Sequence, residues 1–230
     1  MPSPALHILY EDNHLLVVNK PAGLPTMGTP EGERTLLTVA KDYIKAKYHK
    51  PGNVYLGVMS RLDAPVTGIV LLARTSKAAA RMTEQFRSRA VEKTYWALVE
   101  GVPPPAGQYV DWLAQDERHR RMSIVNRSHT GGKEARLSFR RLSVHGRMSL
   151  IEVELETGRK HQIRLQMSHH GYAVVGDRKY GARLTFPAGV ALHARVLVVA
   201  HPIRGEVLRF EAPLPKSWLK ACDFGQSGVT

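Results

Sequence analysis

Short segments of alternating apolar and polar residues follow one another closely along this chain and constrain its fold more than any other feature. His7–Tyr10 and Leu15–Asn19 have the composition of two strands joined by the polar turn Glu11–His14. Gly68–Ala73 is apolar almost throughout, which predicts a strand buried on both faces. Further strands are predicted at Val54–Met59, Lys93–Glu100, Ala135–Leu142, Ser149–Glu156, Leu197–His201 and Val207–Ala212.

Helical periodicity is confined to a few segments. Thr35–Lys47 repeats apolar residues at helical spacing, and Ser76 is placed to cap a helix that runs through Arg89. Lys160–His170 is typical of a short helix that Gly171 ends. Strands in quick succession with few helices between them predict an α+β fold, with a mixed, mainly antiparallel central sheet flanked by helices and loops.

The chain has 230 residues, enough to bury a core without a disulfide or metal staple. We predict a single domain over residues 1–230, and the Pro-rich break Val102–Gly107 is where two halves of it would meet. Gln108–Thr130 is polar and basic around Arg118–Arg121, which predicts an exposed hairpin rather than core. The single cysteine, Cys222, cannot form an internal disulfide, which fits a reducing compartment.

The charge balance points to a polyanionic partner. Lysine and arginine number 33 against 20 acidic residues, a formal net charge of +13. Such a surface concentrates polyanions by long-range attraction and counterion release. The alternative is a basic protein with no polyanion partner. The longest apolar runs are much shorter than the roughly 20 residues that cross a bilayer, and Met1–Tyr10 does not resemble a signal peptide. We therefore expect a cytoplasmic protein without membrane association.

Asp63 is the first candidate for chemistry. It lies between two predicted strands, next to Arg61 and before Pro65 and Gly68. A carboxylate in such a loop is held rigidly by the strands on either side. Taken alone, Asp63 could equally be a turn residue that only satisfies backbone donors.

Six motifs in a fixed order give Asp63 its context. They are Lys20-Pro21-Ala22-Gly23, Arg61-Leu62-Asp63 with Thr67-Gly68, Lys93-Thr94-Tyr95, Thr157–Leu165, Gly176–Gly181 and Leu192-His193-Ala194. In this order and spacing the chain resembles the RluA family of pseudouridine synthases, from Tyr10 to about Leu214. The resemblance implies an enzyme that isomerises uridine in ribosomal or transfer RNA.

The resemblance also implies roles for individual residues. Asp63 would be the catalytic aspartate, Tyr95 the tyrosine stacked on the target base, and Arg164 the basic residue that pairs with the aspartate. Leu165 would form an apolar wall of the pocket, and Arg61 would help displace the target nucleotide. Taken alone, Tyr95 could equally be a core tyrosine.

The implied chemistry needs no cofactor. Isomerisation exchanges a C–N for a C–C glycosidic bond, with nothing oxidised and no group imported. An arginine close to the carboxylate keeps it ionised. Asp63 would either attack C1′ as a nucleophile or abstract the C2′ proton to give a glycal, and the sequence leaves both open. The target must also be flipped out of its stack.

Arg159 and Lys160 precede the short helix that carries Arg164. Basic side chains and free amides at a helix start suit a phosphate. The alternative is a solvated basic turn. His161, His169 and His170 lack cysteine companions, so we expect no metal site.

The sequence departs from the family pattern in two ways. Ser60 and Val66 stand where the family usually has histidine and threonine beside the aspartate motif. The strand at His7 begins almost at once, so we expect no S4 RNA-binding domain before it. RNA would then be bound by the catalytic domain itself, with help from Arg118–Arg121, and we expect a monomer.

Two other functions compete with RNA isomerisation. A non-catalytic RNA-binding or RNA-remodelling protein would not need Asp63, Tyr95 and Arg164 together. An RNA hydrolase would need metal ligands or an acid–base pair, and the sequence shows neither at a suitable spacing.

Overall fold

The computed structural model describes residues 6–28, 33–119 and 121–221. Arg120 and Cys222 therefore lie outside the described residues. The chain divides into two compact units: Met1–Lys93 with Ala194–Pro213, and Thr94–His193 with Leu214–Thr230. Residues 102–105 form a loop inside the second unit, and residues 106–107 begin a strand. Within the described ranges, every helix is too short or too polar to cross a bilayer.

The first unit is a layer of antiparallel strands with two helices. Its neighbouring strands run in the order β1, β2, β4, β10, with β3 paired to β4 and β11 to β10. The bounds are β1 His7–Glu11, β2 Leu15–Lys20, α1 Leu36–Lys47, β3 Gly57–Val58, β4 Thr67–Ala73, α2 Ser76–Arg87, β10 Leu192–Ala200 (mostly in this unit) and β11 Val207–Glu211.

Strand β4 forms the centre of this unit, and all seven of its residues are buried. This confirms the prediction from its unbroken apolar sequence. Gly68, the second residue of the strand, has φ +112°, and a Cβ there would lie 2.3 Å from the carbonyl oxygen of Ala194 in β10. Only glycine allows this close approach of the two backbones, so Gly68 fixes how the chain leaves the Asp63 loop.

Both helices of the first unit begin at a threonine. The Thr35 hydroxyl accepts from the Thr38 amide, as the predicted start of α1 requires. The predicted cap of α2 was wrong by one residue, because the Thr75 hydroxyl accepts from the Ala78 amide and Ser76 is already helical. The helix ends at Arg87, and Arg89 has φ +60°.

The segment Val54–Met59 is mostly not a strand. Only Gly57–Val58 pairs with β4, while Val54 and Leu56 are buried from an irregular stretch. The apolar side chains that predicted a strand are thus buried without strand pairing. The Met59 amide, just after Val58, still donates to the Leu71 carbonyl of β4.

The second unit is an antiparallel sheet in the order β5, β9, β8, β6, β7, with short helices beside it. The bounds are β5 Glu92–Glu100 (its first two residues in the first unit), β6 Ala106–Asp116, β7 Arg121–Val125, β8 Lys133–His145, β9 Met148–Leu155, α3 Gln162–His169, a 3₁₀ turn Arg178–Tyr180 and α4 Lys216–Ala221. The α+β class and the mainly antiparallel pairing are as predicted.

The segment Gln108–Thr130 is a hairpin, but the expectation that it lies outside the core was wrong. Leu113 in β6 and Met122 in β7 are buried in a cluster with Ala135, Leu165 and Tyr180. The many charged residues around Arg118 make the whole segment look polar in sequence, so these two inward-facing positions are not evident from it. The hairpin is therefore anchored to the helix that carries Arg164.

Candidate active site

Asp63 lies in the loop between β3 and β4, half-buried, with its own carbonyl accepting from the Val66 amide at 3.0 Å. Thr26 holds the preceding residue from both sides. Its hydroxyl donates to the Leu62 carbonyl at 2.7 Å and accepts from the Leu62 amide at 3.1 Å. These two bonds fix the backbone immediately before Asp63.

Lys20 supports the same loop through hydrogen bonds from its ammonium group to backbone carbonyls. Its side chain is fully buried, and Nζ donates to the carbonyls of Pro21 (2.8 Å), Leu24 (2.8 Å) and Ala64 (3.1 Å). Burial lowers the pKa of Lys20 to about 8, an effect that the negative charge of Asp63 opposes. Lys20 therefore supplies a positive charge near Asp63 and binds the residue after it.

We expect a decline in activity as the pH rises through about 8. A neutral amine has only two N–H donors for three carbonyls, and it no longer offsets the charge of Asp63. Single-turnover rates between pH 6 and 9 on saturating RNA would show this alkaline limb. Lys20→Met should react more slowly and lose the limb, whereas a limb unchanged in that variant would contradict the assignment.

Ser60 and Val66, which differ from the family pattern beside Asp63, both have a local explanation. The Ser60 hydroxyl accepts from the Leu71 amide of β4 at 3.0 Å, so it ties the start of the Asp63 loop to the central strand. Val66 is 2% exposed and packs as a core residue. Ser60 thus supports the loop through a hydrogen bond, and Val66 supports it through apolar packing.

Arg164 is anchored in the second unit by Asp177. Nε and Nη2 of Arg164 donate to Oδ2 and Oδ1 of Asp177 at 2.6 and 2.8 Å, and both side chains are buried. Paired bonds of this kind fix the plane of a guanidinium group as well as its position. Asp177 lies within the Gly176–Gly181 motif, but the sequence alone does not indicate this role.

Tyr180 completes the surroundings of Arg164. The Arg164 guanidinium lies 5.3 Å from the centre of the Tyr180 ring. The Tyr180 hydroxyl accepts from the Met122 amide of β7 at 3.2 Å and lies 2.6 Å from Nδ1 of His161. One buried tyrosine thus contacts the arginine, the start of α3 and the hairpin.

The remaining predicted site residues are divided between the units. Arg61 is exposed beside Asp63 in the first unit. Tyr95 is half-buried on β5 opposite Val153 of β9, and Leu165 is 8% exposed, both in the second unit. Leu165 follows Arg164 directly and packs in the hairpin cluster. The predicted ion pair between Arg164 and Asp63 stays a prediction.

Arg159 and Lys160 differ in their surroundings. Nε of Arg159 donates to the Glu134 carbonyl at 2.9 Å, and its amide donates to Oε1 of Gln162. Lys160 is exposed. Arg159 thus has a structural role at the start of α3, whereas a phosphate contact by either residue stays a prediction.

His169 and His170 meet an acidic residue. Together with Asp111 they offer ligand atoms that lie within 4.8 Å of one another. Asp111 already accepts from Gln166 at 2.7 Å, and the His170 ring stacks on Tyr109 with ring centres 3.7 Å apart. The expectation of no metal site remains a prediction.

The sequence of the chain matches a known protein family and several of its named members. Residues 14–169 match the model of the RNA pseudouridylate synthase family. Ribosomal large subunit pseudouridine synthase D of Pseudomonas aeruginosa is 37% identical over 93% of this chain and 70% of its own length. Its counterpart in Xylella fastidiosa is 36% identical over 92% of this chain and 66% of its own. The chain thus spans about two thirds of the length of these relatives.

Solved structures agree in fold. The human RNA pseudouridylate synthase domain containing 4 is 28% identical, with a TM-score of 0.78 over 93% of this chain and 90% of that one. The human RNA pseudouridylate synthase domain containing 1 is 25% identical, with a TM-score of 0.74 over 94% of this chain and 86% of that one. Sequence and fold agree along nearly the whole chain, and the chain therefore belongs to the RNA pseudouridylate synthase family.

Proposed function

We propose that this chain converts specific uridines in RNA to pseudouridine, with Asp63 as the essential carboxylate. The observation that carries the proposal is the support of the Asp63 loop. Thr26, Lys20 and the Gly68 approach to Ala194 fix its backbone, and a buried cation lies near its carboxylate. A rigidly held carboxylate with a nearby cation suits a reaction in which it must stay ionised.

The reaction has a defined balance of bonds. The C1′–N1 bond of uridine breaks, the uracil turns in the pocket, and a C1′–C5 bond forms. C5 then loses its proton and N1 takes one up, so the product has the mass of uridine. Asp63 would act at C1′ as a nucleophile or at the C2′ proton as a base. Either role needs the ionised carboxylate, so the proposal holds for both.

The other predicted residues would serve the flipped base. Tyr95 would stack on the uracil, Leu165 would form an apolar wall, and Arg61 would help displace the target nucleotide from its stack. Arg164, held in plane by Asp177, would pair with Asp63. Arg159 and Lys160 would contact the RNA backbone at the start of α3.

Large-subunit ribosomal RNA is the substrate we propose, since the relatives from Pseudomonas and Xylella bear that name. The protein would then act in the cytoplasm and, we propose, as a monomer without a cofactor. Pseudouridine mapping in ribosomal and transfer RNA from a deletion strain tests the choice of RNA. A site lost on deletion and restored by the wild-type gene identifies the target, and a lost site confined to transfer RNA would contradict this substrate.

The alternative is a protein that binds RNA without modifying it. Tritium release from RNA labelled at C5 of uridine separates the two functions. Isomerisation releases the label without cutting the chain. Binding with no release by the purified protein on ribosomal RNA from the deletion strain would favour the alternative.

Basic residues at the hairpin tip should contribute to RNA affinity. Arg118 and Arg121 are exposed, and each neutralised phosphate adds about 0.7–0.9 to the slope of log affinity against log salt. We expect Arg118→Ser with Arg121→Ser to weaken binding and flatten that slope, measured by filter binding across a salt series. Arg87→Ser on α2 is the matched control. An unchanged slope in the double variant would remove the hairpin tip from the binding surface.

A further inference from the structure

A groove of about 950 Å³ runs along the hairpin strand β7 in the second unit. Its far side is formed by Leu165 and Ser168 of α3 and by Lys179 and Tyr180 of the 3₁₀ turn. Leu165 is the residue proposed as a wall of the uridine pocket. The groove therefore shares Leu165 with the proposed uridine pocket.

The groove combines an apolar floor with basic and polar edges. Ile124 packs on the buried cluster that contains Leu165 and Tyr180, which leaves a floor suited to the face of a planar ring. Arg121 and Lys179 are exposed along its edges, and all of its lining side chains are neutral or basic. Arg121 has one acidic neighbour, Asp116, at 4.0 Å. Such a lining suits a ligand with a flat apolar part and a negative charge.

The backbone of β7 adds directional hydrogen bonding. Among the described strands, β7 pairs only with β6 and forms the edge of the sheet. The Met122 amide points away from β6, because it donates to the Tyr180 hydroxyl. In an antiparallel pair this orientation repeats every second residue, so the N–H and C=O of Ile124 face the same open edge. One donor and one acceptor on neighbouring atoms match the edge of a nucleobase.

We propose that this groove binds an unpaired nucleotide of the substrate RNA that neighbours the target uridine. Its base lies on Ile124 and Leu165, its edge meets the backbone of Ile124, and its phosphates lie near Arg121 and Lys179. Single-stranded RNA is recognised in this way, by stacking on side chains and by contacts to base edges. The inference rests on the proposed function for the position of the nucleotide, and it makes the hairpin a determinant of sequence preference.

Photo-crosslinking tests the site without relying on catalysis. The probe is an unstructured 12-nucleotide RNA with one 4-thiouridine at its centre, irradiated with the full-length protein and mapped by mass spectrometry. We expect crosslinks in the peptides that contain residues 121–129 and 165–168. Crosslinks confined to other peptides would overturn the proposal. Crosslinks in the groove together with absent tritium release would contradict the proposed function and leave the groove as a general RNA site.

Affinity for the same RNA gives a second readout. Ile124→Ala removes part of the floor and should raise Kd about threefold to tenfold, as expected for the loss of a few buried carbon atoms. Val110→Ala, an exposed valine on β6 away from the groove, is the matched control and should leave Kd unchanged. Replacing the central base by an abasic nucleotide should abolish the difference between wild type and Ile124→Ala. A difference that persists without the base would contradict base binding in the groove.

Discussion

Asp63→Asn is expected to fold, to bind RNA within about twofold of wild type, and to lose turnover by a factor on the order of 10³ or more. The substitution keeps the size of the side chain and removes its charge. The loop itself should stay intact, because Thr26, Gly23 and Lys20 bind its backbone. Single-turnover tritium release at saturating RNA measures the loss directly.

Asp42→Asn supplies the control for that variant. Asp42 is exposed on α1, and the same change there should leave the rate and the affinity as they are. Pseudouridine formation by Asp63→Asn above a trace level would remove Asp63 from the chemistry. Equal losses of rate in both variants would point to a general effect of the charge change rather than a role of Asp63 in the chemistry.

Asp177→Asn is expected to lower the free energy of unfolding by about 3 kcal/mol, since breaking one side of a buried ion pair leaves an uncompensated charge. Both side chains are almost fully buried, at 6% and 1% exposure, so solvent screens the pair little. The new amide group would also face a guanidinium donor where an acceptor is needed. Activity should fall as well, because Arg164 loses the bonds that fix its plane.

An exposed pair in the same unit gives the comparison for Asp177→Asn. Arg140 and Glu152 lie 2.9 Å apart on β8 and β9, with the arginine 67% exposed. Glu152→Gln should cost less than about 1 kcal/mol. Urea unfolding of the two variants, followed by circular dichroism, would show the difference. A loss below 1 kcal/mol for Asp177→Asn would mean that other contacts hold Arg164.

The strands of the fold follow from local pattern, and the errors occur where long-range contacts decide. The apolar run of β4 predicts a strand buried on both faces, and it is one. The charges around Arg118 predict an exposed hairpin, yet Leu113 and Met122 reach a core formed with Leu165 and Tyr180. Alternation within a polar segment marks these two positions only weakly, because the partners that bury them lie far along the chain.

The candidate site shows the same division. Asp63 and Arg164 were identified from motifs in the sequence, but their supports were not. Thr26 and Leu62 are 36 residues apart, and Lys20 bonds a carbonyl 44 residues away. A lysine at the end of an apolar strand gives no local sign that its ammonium group is buried. Lys20 and Asp177 do each lie within one of the six family motifs. That position is the sequence signal that could have marked these two charged residues as buried supports.

Nucleoside analysis of treated RNA tests the central claim most directly. RNA from a strain that lacks the gene would be incubated with the purified protein, digested to nucleosides and separated by chromatography with mass detection. We predict an increase in the pseudouridine peak over untreated RNA, matched by an equal loss of uridine and absent with Asp63→Asn. RNA that is bound but keeps all its uridine, or an equal increase with Asp63→Asn, would contradict the central claim.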